Sequence, residues 1–212
     1  MAALYNLMNQ YFCTEILLTM KKLLSTLFIC GLIISASAQT QVAIKTKLPV
    51  LDKSPMDMGY YPDNYPVLKI QDKATEPLAA RIIYSRPQKD NRTVFGELVE
   101  YNEVWRLGAN EATEIEFFKD VKIDGKKLLK GRYTMYAIPT PAKWTIIFNK
   151  DTDIWGAFKY DEKKDALRTD VPVKNLTVPA EIFTMNFSKT ASGTDLNITW
   201  DNVSVALPIS FK

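Results

Sequence analysis

Apolar and polar residues alternate along the C-terminal two thirds of the chain, from about residue 79 onward. Between Leu196, Ile198 and Trp200, for example, stand single polar residues. The same alternation recurs in the segments 82–84, 113–117, 133–137, 144–148, 183–187 and 205–211. A period of two residues is typical of antiparallel strands with one buried face, so each segment predicts a short β-strand.

Turn-forming residues separate these segments. Asp124 and Gly125 lie between two short apolar runs and predict a hairpin whose turn needs positive φ angles. A helical pattern is confined to about one turn between Asp161 and Arg168. The pattern as a whole predicts an all-β fold, a single antiparallel β-sandwich or jelly-roll-like domain over residues 79–212.

Residues 39–78 form a proline-rich segment, with prolines at positions 49, 55, 62, 66 and 77. This spacing is expected to exclude a helix and to interrupt any long strand, because proline lacks the N–H that helices and sheets use. We therefore predict an extended N-terminal lead-in to the β domain. Its stretch 54–65 contains two methionines and three tyrosines, so part of it is expected to dock on the domain.

The first 38 residues predict an export signal. Met20 is followed by two lysines, by the apolar run 23–34 and by small residues ending at Ala38, which is the order of a signal peptide with its cleavage site. We predict that translation starts at Met20 and that cleavage follows Ala38. The alternative is an uncleaved N-terminal anchor, although a bilayer span needs about 20 apolar residues. The expected location is the periplasm or the outer cell surface, with no transmembrane segment after cleavage.

The amino-acid composition excludes several kinds of catalytic and metal site, although it says little about the fold. The 212 residues are 47% hydrophobic and 24% charged, with a net charge of +3, so the chain is globular and too weakly basic to predict a nucleic-acid partner. It has no histidine, and both cysteines, Cys13 and Cys30, precede the predicted cleavage site. An imidazole triad, a cysteine nucleophile and a histidine–cysteine zinc site are therefore excluded from the mature protein. We predict no metal and no cofactor, and we favour a protein that is not an enzyme.

The densest group of chemically useful side chains lies between Trp105 and Thr113. It combines an aromatic ring, the guanidinium of Arg106, the amide of Asn110 and the carboxylate of Glu111. Arg106 offers a fork of donors for an anionic or carbonyl group, with Trp105 as a stacking surface. The alternatives are an internal ion pair between Arg106 and Glu111 with Trp105 in the core, or a catalytic role for Glu111.

A second group of polar side chains consists of Ser85 and Arg86, which precede Pro87 at the end of the first predicted strand of the domain. An ion pair that terminates the strand is favoured for Arg86 over a ligand contact. The two groups together define the candidate ligand-binding residues, which are Ser85, Arg86, Trp105, Arg106, Asn110, Glu111 and Thr113.

Two further segments resemble functional motifs. Residues 149–153 present oxygen ligands at alternate positions, but Ile154 stands where a calcium loop of the EF-hand type needs glycine, so a surface turn is predicted. The aromatic run 155–160 is predicted to be core, since buried aromatics contribute large apolar areas. Exposed aromatics there would instead indicate carbohydrate stacking.

Six motifs carry a family resemblance. They are ARIIYSRP at 80–87, VWR and GANEAT around Leu107, GRYTMYAIP at 131–139, WTIIFNK at 144–150 and WGAF at 155–158. In this order they resemble domain-of-unknown-function family 2911, over roughly residues 55 to 205. Leu107 departs from the small hydroxyl residue expected there. The resemblance implies an exported protein of Bacteroidetes-like bacteria, in the periplasm or on the surface, and it implies no activity.

Three functions are consistent with these observations. The favoured one is a non-catalytic module that binds an unknown small molecule or glycan at the candidate residues. The second is a structural or assembly component of the cell envelope, which presents an edge strand to an envelope protein. The third is a carboxylate-dependent hydrolase with Glu111 as acid or base, which needs a second carboxylate across a cleft.

Overall fold

A computed structural model of the protein describes residues 18–22 and 49–211. The chain divides into two units, residues 1–49 and 50–212. In the first unit residues 18–22 are helical, and the predicted signal peptide and its cleavage site otherwise lie outside the described residues. Across both described ranges, no helix is long and apolar enough to cross a membrane. All the strands in these ranges belong to the second unit.

The second unit is built almost entirely from β-strands. Its described strands are β1 (Met56–Tyr61), β2 (Ala80–Ser85), β3 (Glu114–Phe117), β4 (Val121–Ile123), β5 (Lys126–Leu128), β6 (Gly131–Pro139), β7 (Lys143–Asn149), β8 (Asp165–Lys189) and β9 (Gly193–Ser210). Its helical segments are the α-helix α1 (Tyr65–Ile70) and a 3₁₀ turn (Glu162–Lys164), which lies within the segment predicted to hold one helical turn.

The strands form one antiparallel sheet in the order β1-β2-β3-β6-β7-β8-β9-β4-β5. The long strand β8 joins the two halves of this order, because it pairs with β7 through residues 165–172 and with β9 through residues 173–189. The halves face each other: the ring of Tyr84 on β2 packs edge-on against Phe183 on β8, with centroids 5.9 Å apart. The all-β, sandwich-like fold is therefore confirmed.

The hydrophobic core lies between the two layers. The alternating apolar residues of the predicted strands are buried there, which is the physical reason for the period of two in the sequence. At the centre, neighbouring aromatic rings have centroids 5.1 to 6.4 Å apart. This aromatic cluster consists of Phe95, Trp105, Trp144, Phe183 and Trp200.

Part of the predicted lead-in belongs to the sheet. Strand β1 pairs with β2 along its whole length and forms one edge of the sheet. The expectation that prolines exclude a helix from residues 39–78 was wrong for α1. Pro66 lies in the first turn of that helix, where a missing N–H costs no intrahelical hydrogen bond.

The hairpin predicted at Asp124 and Gly125 is confirmed. It joins β4 to β5, and both turn residues have positive φ angles, 51° and 71°. Such angles match the twist of the flanking strands, which explains why this dipeptide is a reliable turn signal. The hairpin packs beside the C-terminal end of β9, where Lys122 pairs with Ser210.

Candidate functional site

Trp105 belongs to the hydrophobic core and also borders a cavity beside Arg106. Its side chain is 7% exposed and packs within the aromatic cluster, and its indole Nε1 donates to the Gly108 carbonyl at 3.2 Å. Its backbone exchanges hydrogen bonds with Ala137 of β6 at 2.8 and 2.9 Å. Trp105 therefore anchors the start of the loop 105–113, in agreement with the core alternative for this residue.

Ser85 and Thr113 are buried clamps for the same loop. The Ser85 hydroxyl accepts from the Ala109 N–H and donates to the Ala109 carbonyl, with both distances 2.6 Å. The Thr113 hydroxyl donates to the Leu107 carbonyl. Both side chains are fully buried, so their hydrogen-bonding capacity is used to position the loop.

Arg86 forms the ion pair that was favoured for it. Its Nη1 lies 3.0 Å from Asp57 Oδ2 on β1, and its Nη2 donates to the Thr184 hydroxyl on β8 at 3.2 Å. The guanidinium also donates through Nε to the Phe183 carbonyl at 3.4 Å. Arg86 thus connects three strands, and a role for it in ligand binding stays a prediction.

Asn110 and Glu111 lie at the exposed side of the loop. The Asn110 amide donates to Asp52 Oδ2 at 2.8 Å, which ties the loop to the segment before β1. Glu111 is exposed and borders a cavity of about 150 Å³ together with Met56 and Ile83. Among the described residues no ion pair joins Glu111 to Arg106, so the internal ion-pair alternative is not formed there.

Arg106 is the candidate residue with a buried side-chain donor that has no partner. Its side chain is half-buried, its Nε is fully buried, and that Nε has no hydrogen-bond partner. Burial lowers the pKa of the guanidinium from its ordinary value. Arg81 also has an unpaired buried Nε, but its guanidinium is ion-paired with Glu116, whereas Arg106 forms no ion pair within residues 49–211.

The Arg106 side chain borders a cavity of about 290 Å³, which we call the Arg106 cavity. One wall is the segment 98–104, which contributes the carboxylates of Glu100 and Glu103. Ala157, which is distant in the sequence, also lines the cavity. The cavity therefore brings hydrogen-bond donors on Arg106 together with carboxylate acceptors, a combination that suits a ligand with hydroxyl or carbonyl oxygens.

The wall of the Arg106 cavity is held by the aromatic cluster. Phe95 inserts into the cluster, with its ring centroid 5.1 Å from that of Trp144. Hydrogen bonds from Val99 N–H to Val94 and from Gly96 N–H to Val99, at 2.8 and 2.9 Å, close the turn that follows. Glu100 and Glu103 thus stand on a segment whose start is fixed in the core.

The prediction that the aromatic run 155–160 is core was wrong for two of its rings. Trp155 is 61% exposed and Phe158 is 84% exposed. The positions of the aromatic residues in the sequence carry no information on which of the rings are buried. We call residues 155–158 the aromatic turn, and its Ala157 lines the Arg106 cavity.

Tyr160 fixes the end of the aromatic turn. Its ring packs edge-on against Tyr136, with centroids 5.1 Å apart, and its hydroxyl donates to Asp165 Oδ2 at 2.7 Å. Burial, followed by the hydrogen bond to Asp165, raises the pKa of Tyr160 to about 12. Arg168 donates to both the Tyr160 hydroxyl and Asp165, which completes a closed polar network.

Of the residues that border the Arg106 cavity, the sequence prediction identified Arg106 and Trp105 but not the others. Glu100 and Glu103 were visible only as carboxylates close together in the chain, and the aromatic turn lies some fifty residues further on. In the described ranges no group of three or more acidic, histidine or cysteine side chains is arranged to hold a metal ion. The residue 149–153 turn is a surface turn between β7 and the aromatic turn.

Comparison with known proteins gives one match. The family model described as Protein of unknown function (DUF2911) matches residues 68–209. This range contains all seven candidate residues, strands β2 to β8 and nearly all of β9. No curated protein and no solved structure matches the chain significantly.

Proposed function

This chain belongs to the family Protein of unknown function (DUF2911), and from that premise we propose that it is an exported, non-catalytic module that binds a small molecule or a glycan in the Arg106 cavity. Membership brings no activity with it, so the proposal is supported by the cavity itself. The proposed site consists of Arg106 and the residues that line the cavity with it, and no longer of all seven candidate residues.

The observation that carries the proposal is the guanidinium of Arg106, which borders the cavity and whose side chain forms no hydrogen bond or ion pair with the described residues. Its buried Nε has no partner, and a buried donor without a partner costs about 1–3 kcal/mol of stability. Because Nε itself is fully buried, a ligand in the cavity would meet the two Nη groups at the end of the guanidinium. A carboxylate, carbonyl or hydroxyl oxygen would accept hydrogen bonds from this fork of donors.

Other candidate residues support the site indirectly. Ser85, Thr113 and Trp105 hold the loop on which Arg106 stands, and they do so with buried hydrogen bonds and ring contacts. A donor on a loop fixed in this way is positioned before the ligand arrives, which reduces the entropy cost of binding. The expected phenotype of their removal is therefore loss of stability together with weaker binding.

The experiment follows the Nε–Hε signal of Arg106 by ¹H–¹⁵N NMR on the purified protein. Acetate, glucose and N-acetylglucosamine serve as probes for carboxylate, hydroxyl and amide-carbonyl oxygens. We expect at least one probe to shift this signal in a saturable manner, together with the backbone N–H signal of Ala157. Arg106→Lys keeps the charge but loses the fork and its Nε–Hε signal, and we expect it to abolish the saturable shift of the Ala157 signal. If none of the three probes shifts the signal, the proposed site is wrong.

Arg132→Lys is the matched control. Arg132 is an exposed arginine at the start of β6, ion-paired with Asp153 at 2.6 Å. It stands five residues before Ala137, the partner of Trp105, which is about 17 Å along a strand. This variant should bind the probe as the unmodified protein does. A loss of binding in it would show that exchanging an arginine for a lysine away from the cavity is enough, and would contradict the assignment to Arg106.

Export is a separate part of the proposal. It is supported by the basic, apolar and small-residue order between Met20 and Ala38. N-terminal sequencing of the protein from fractionated cells is expected to give Gln39 as the first residue, in the periplasmic or surface fraction. A cytoplasmic protein that retains the residues before Gln39 would contradict it.

A further inference from the structure

The exposed rings of the aromatic turn stand apart from the other large aromatics of the sandwich. Of the four tryptophans in the chain, Trp105, Trp144 and Trp200 are at most 7% exposed, and Trp155 is the exception. Phe158 is exposed beside it. Two large exposed rings within four residues are costly to leave in water, and such patches commonly mark an interaction site.

The backbone holds the aromatic turn in one conformation. Gly156 N–H donates to the Asn110 carbonyl at 2.9 Å, and Ala112 N–H donates to the Ile154 carbonyl at 2.9 Å. Gly156 has a φ of +70°, and the Phe158 ring lies so close that a Cβ at Gly156 would be 2.6 Å from it. The rings are therefore presented on a fixed turn with one face open to solvent.

The aromatic turn and the Arg106 cavity are neighbours. Ala157, which lines the cavity, lies between Phe158 and Gly156 and is two residues from Trp155. The Cα atoms of Trp155 and Ala157 are thus at most about 7.6 Å apart. Leu98, 45% exposed, also borders the cavity and extends the apolar rim. A ligand of two or more rings in length is able to touch both.

The charges in the cavity select the kind of ligand. Arg106 provides donors, while Glu100 and Glu103 provide acceptors, so a ligand with many hydroxyl groups finds partners of both kinds. The two exposed carboxylates against one recessed guanidinium repel a polyanion such as a nucleic acid or an anionic lipid surface. A sugar ring also has an apolar C–H face, which packs on an open aromatic ring as other apolar groups do.

From these observations we propose that the ligand is a neutral saccharide, one ring of which stacks on Trp155 while hydroxyl groups of a neighbouring ring enter the Arg106 cavity. This inference rests on the proposed function, because it names the ligand class of the same site. Phe158, the exposed ring that follows Ala157 in the chain, extends the stacking surface.

Trp155 provides its own signal for the test. Because the other three tryptophans are buried, acrylamide quenching of the intrinsic fluorescence reports mainly on Trp155. The probes are the β-1,4-linked hexasaccharides of glucose, N-acetylglucosamine, mannose and xylose, with tetragalacturonate as the anionic arm. We expect at least one neutral hexasaccharide to protect Trp155 from acrylamide in a saturable manner.

Variants then separate stacking from hydrogen bonding, with affinities for the protecting saccharide measured by calorimetry. Trp155→Ala should weaken binding at least tenfold, Trp155→Phe should keep most of the affinity, and Arg106→Lys should weaken it at least tenfold. Phe118→Ala is the matched control, since Phe118 is an exposed ring, 40% accessible, that packs under Arg81 and not at the cavity. It should leave the affinity unchanged.

The outcomes distinguish this inference from the proposed function. If acetate, glucose or N-acetylglucosamine shifts the Arg106 Nε–Hε signal but no hexasaccharide protects Trp155, the saccharide inference is wrong and the binding module stands. If neither occurs, both fall. If tetragalacturonate binds more tightly than the neutral hexasaccharides, the ligand is not neutral. If Trp155→Ala keeps its affinity for the saccharide, the ligand does not stack on Trp155. If phosphatidylcholine vesicles protect Trp155 and the sugars do not, the ligand is not a saccharide.

Discussion

The Ser85 hydroxyl holds the loop 105–113 against β2, and its removal tests how that loop is positioned. In Ser85→Ala the Ala109 N–H and carbonyl both lose a partner at 2.6 Å. An unpaired buried polar group costs about 1–3 kcal/mol, and Ala109 is half-buried, so the loss is expected to be smaller than for two fully buried groups. We therefore expect the free energy of unfolding to fall by about 2–3 kcal/mol.

Urea unfolding followed by tryptophan fluorescence measures this loss. The slope of the unfolding free energy against urea should stay unchanged, since the variant alters neither the core nor the size of the domain. Ser192→Ala is the control, because Ser192 is an exposed serine in the turn between β8 and β9, and it should change stability by less than about 0.5 kcal/mol. A loss of that small size in Ser85→Ala as well would refute the clamp.

Three further changes probe the same region. Gly108→Ala places a Cβ 2.7 Å from the Ser85 hydroxyl at a φ of +150°, so the free energy of unfolding should fall by about 1–3 kcal/mol. The fall should be smaller when Ser85 is already alanine, because the clashing hydroxyl is then absent. Equal falls in both backgrounds would show that the hydroxyl is not the obstacle. Trp105→Ala should cost about 3–5 kcal/mol in urea unfolding, whereas Trp155→Ala should stay within about 0.5 kcal/mol; a large loss for Trp155 would make it structural. The difference in absorbance at 295 nm between the unmodified protein and Tyr160→Phe isolates Tyr160 from the other tyrosines, including Tyr136, whose pKa burial also raises to about 12; this difference should show an ionisation near pH 12. Since its raised pKa favours the neutral form in the folded state, the contribution of Tyr160 to stability should be complete below pH 10 and lost as the pH rises through 12; a difference centred at pH 10 would contradict this.

The sequence predicts the strands well where one face of a strand is buried. The alternations that end in Phe148, Phe187 and Trp200 correspond to β7, β8 and β9, because water on one face and core on the other impose a period of two. It does not predict β1, whose pairing with β2 is made by backbone groups and leaves Met56 and Met58 exposed. An edge strand with little buried side-chain surface leaves little trace in a hydrophobic pattern.

The candidate site was predicted in part, for a similar reason. Chemistry-bearing residue types selected Arg106, but the same criterion also selected Ser85 and Thr113, whose hydroxyl groups are used within the fold. Burial decides between these roles, and burial depends on contacts between distant segments. Trp105 and Trp155 have the same side chain and opposite exposure, which no local pattern distinguishes.

The position of the last strand has a consequence for biosynthesis. Strand β9 lies in the interior of its layer, between β8 and β4, although it ends the described fold. Until β9 has emerged from the ribosome, the aromatic cluster lacks Trp200 and β8 and β4 lack the strand that lies between them. The domain is thus expected to condense only once β9 is exposed, and premature stop codons upstream of β9 should yield aggregation-prone, protease-sensitive products.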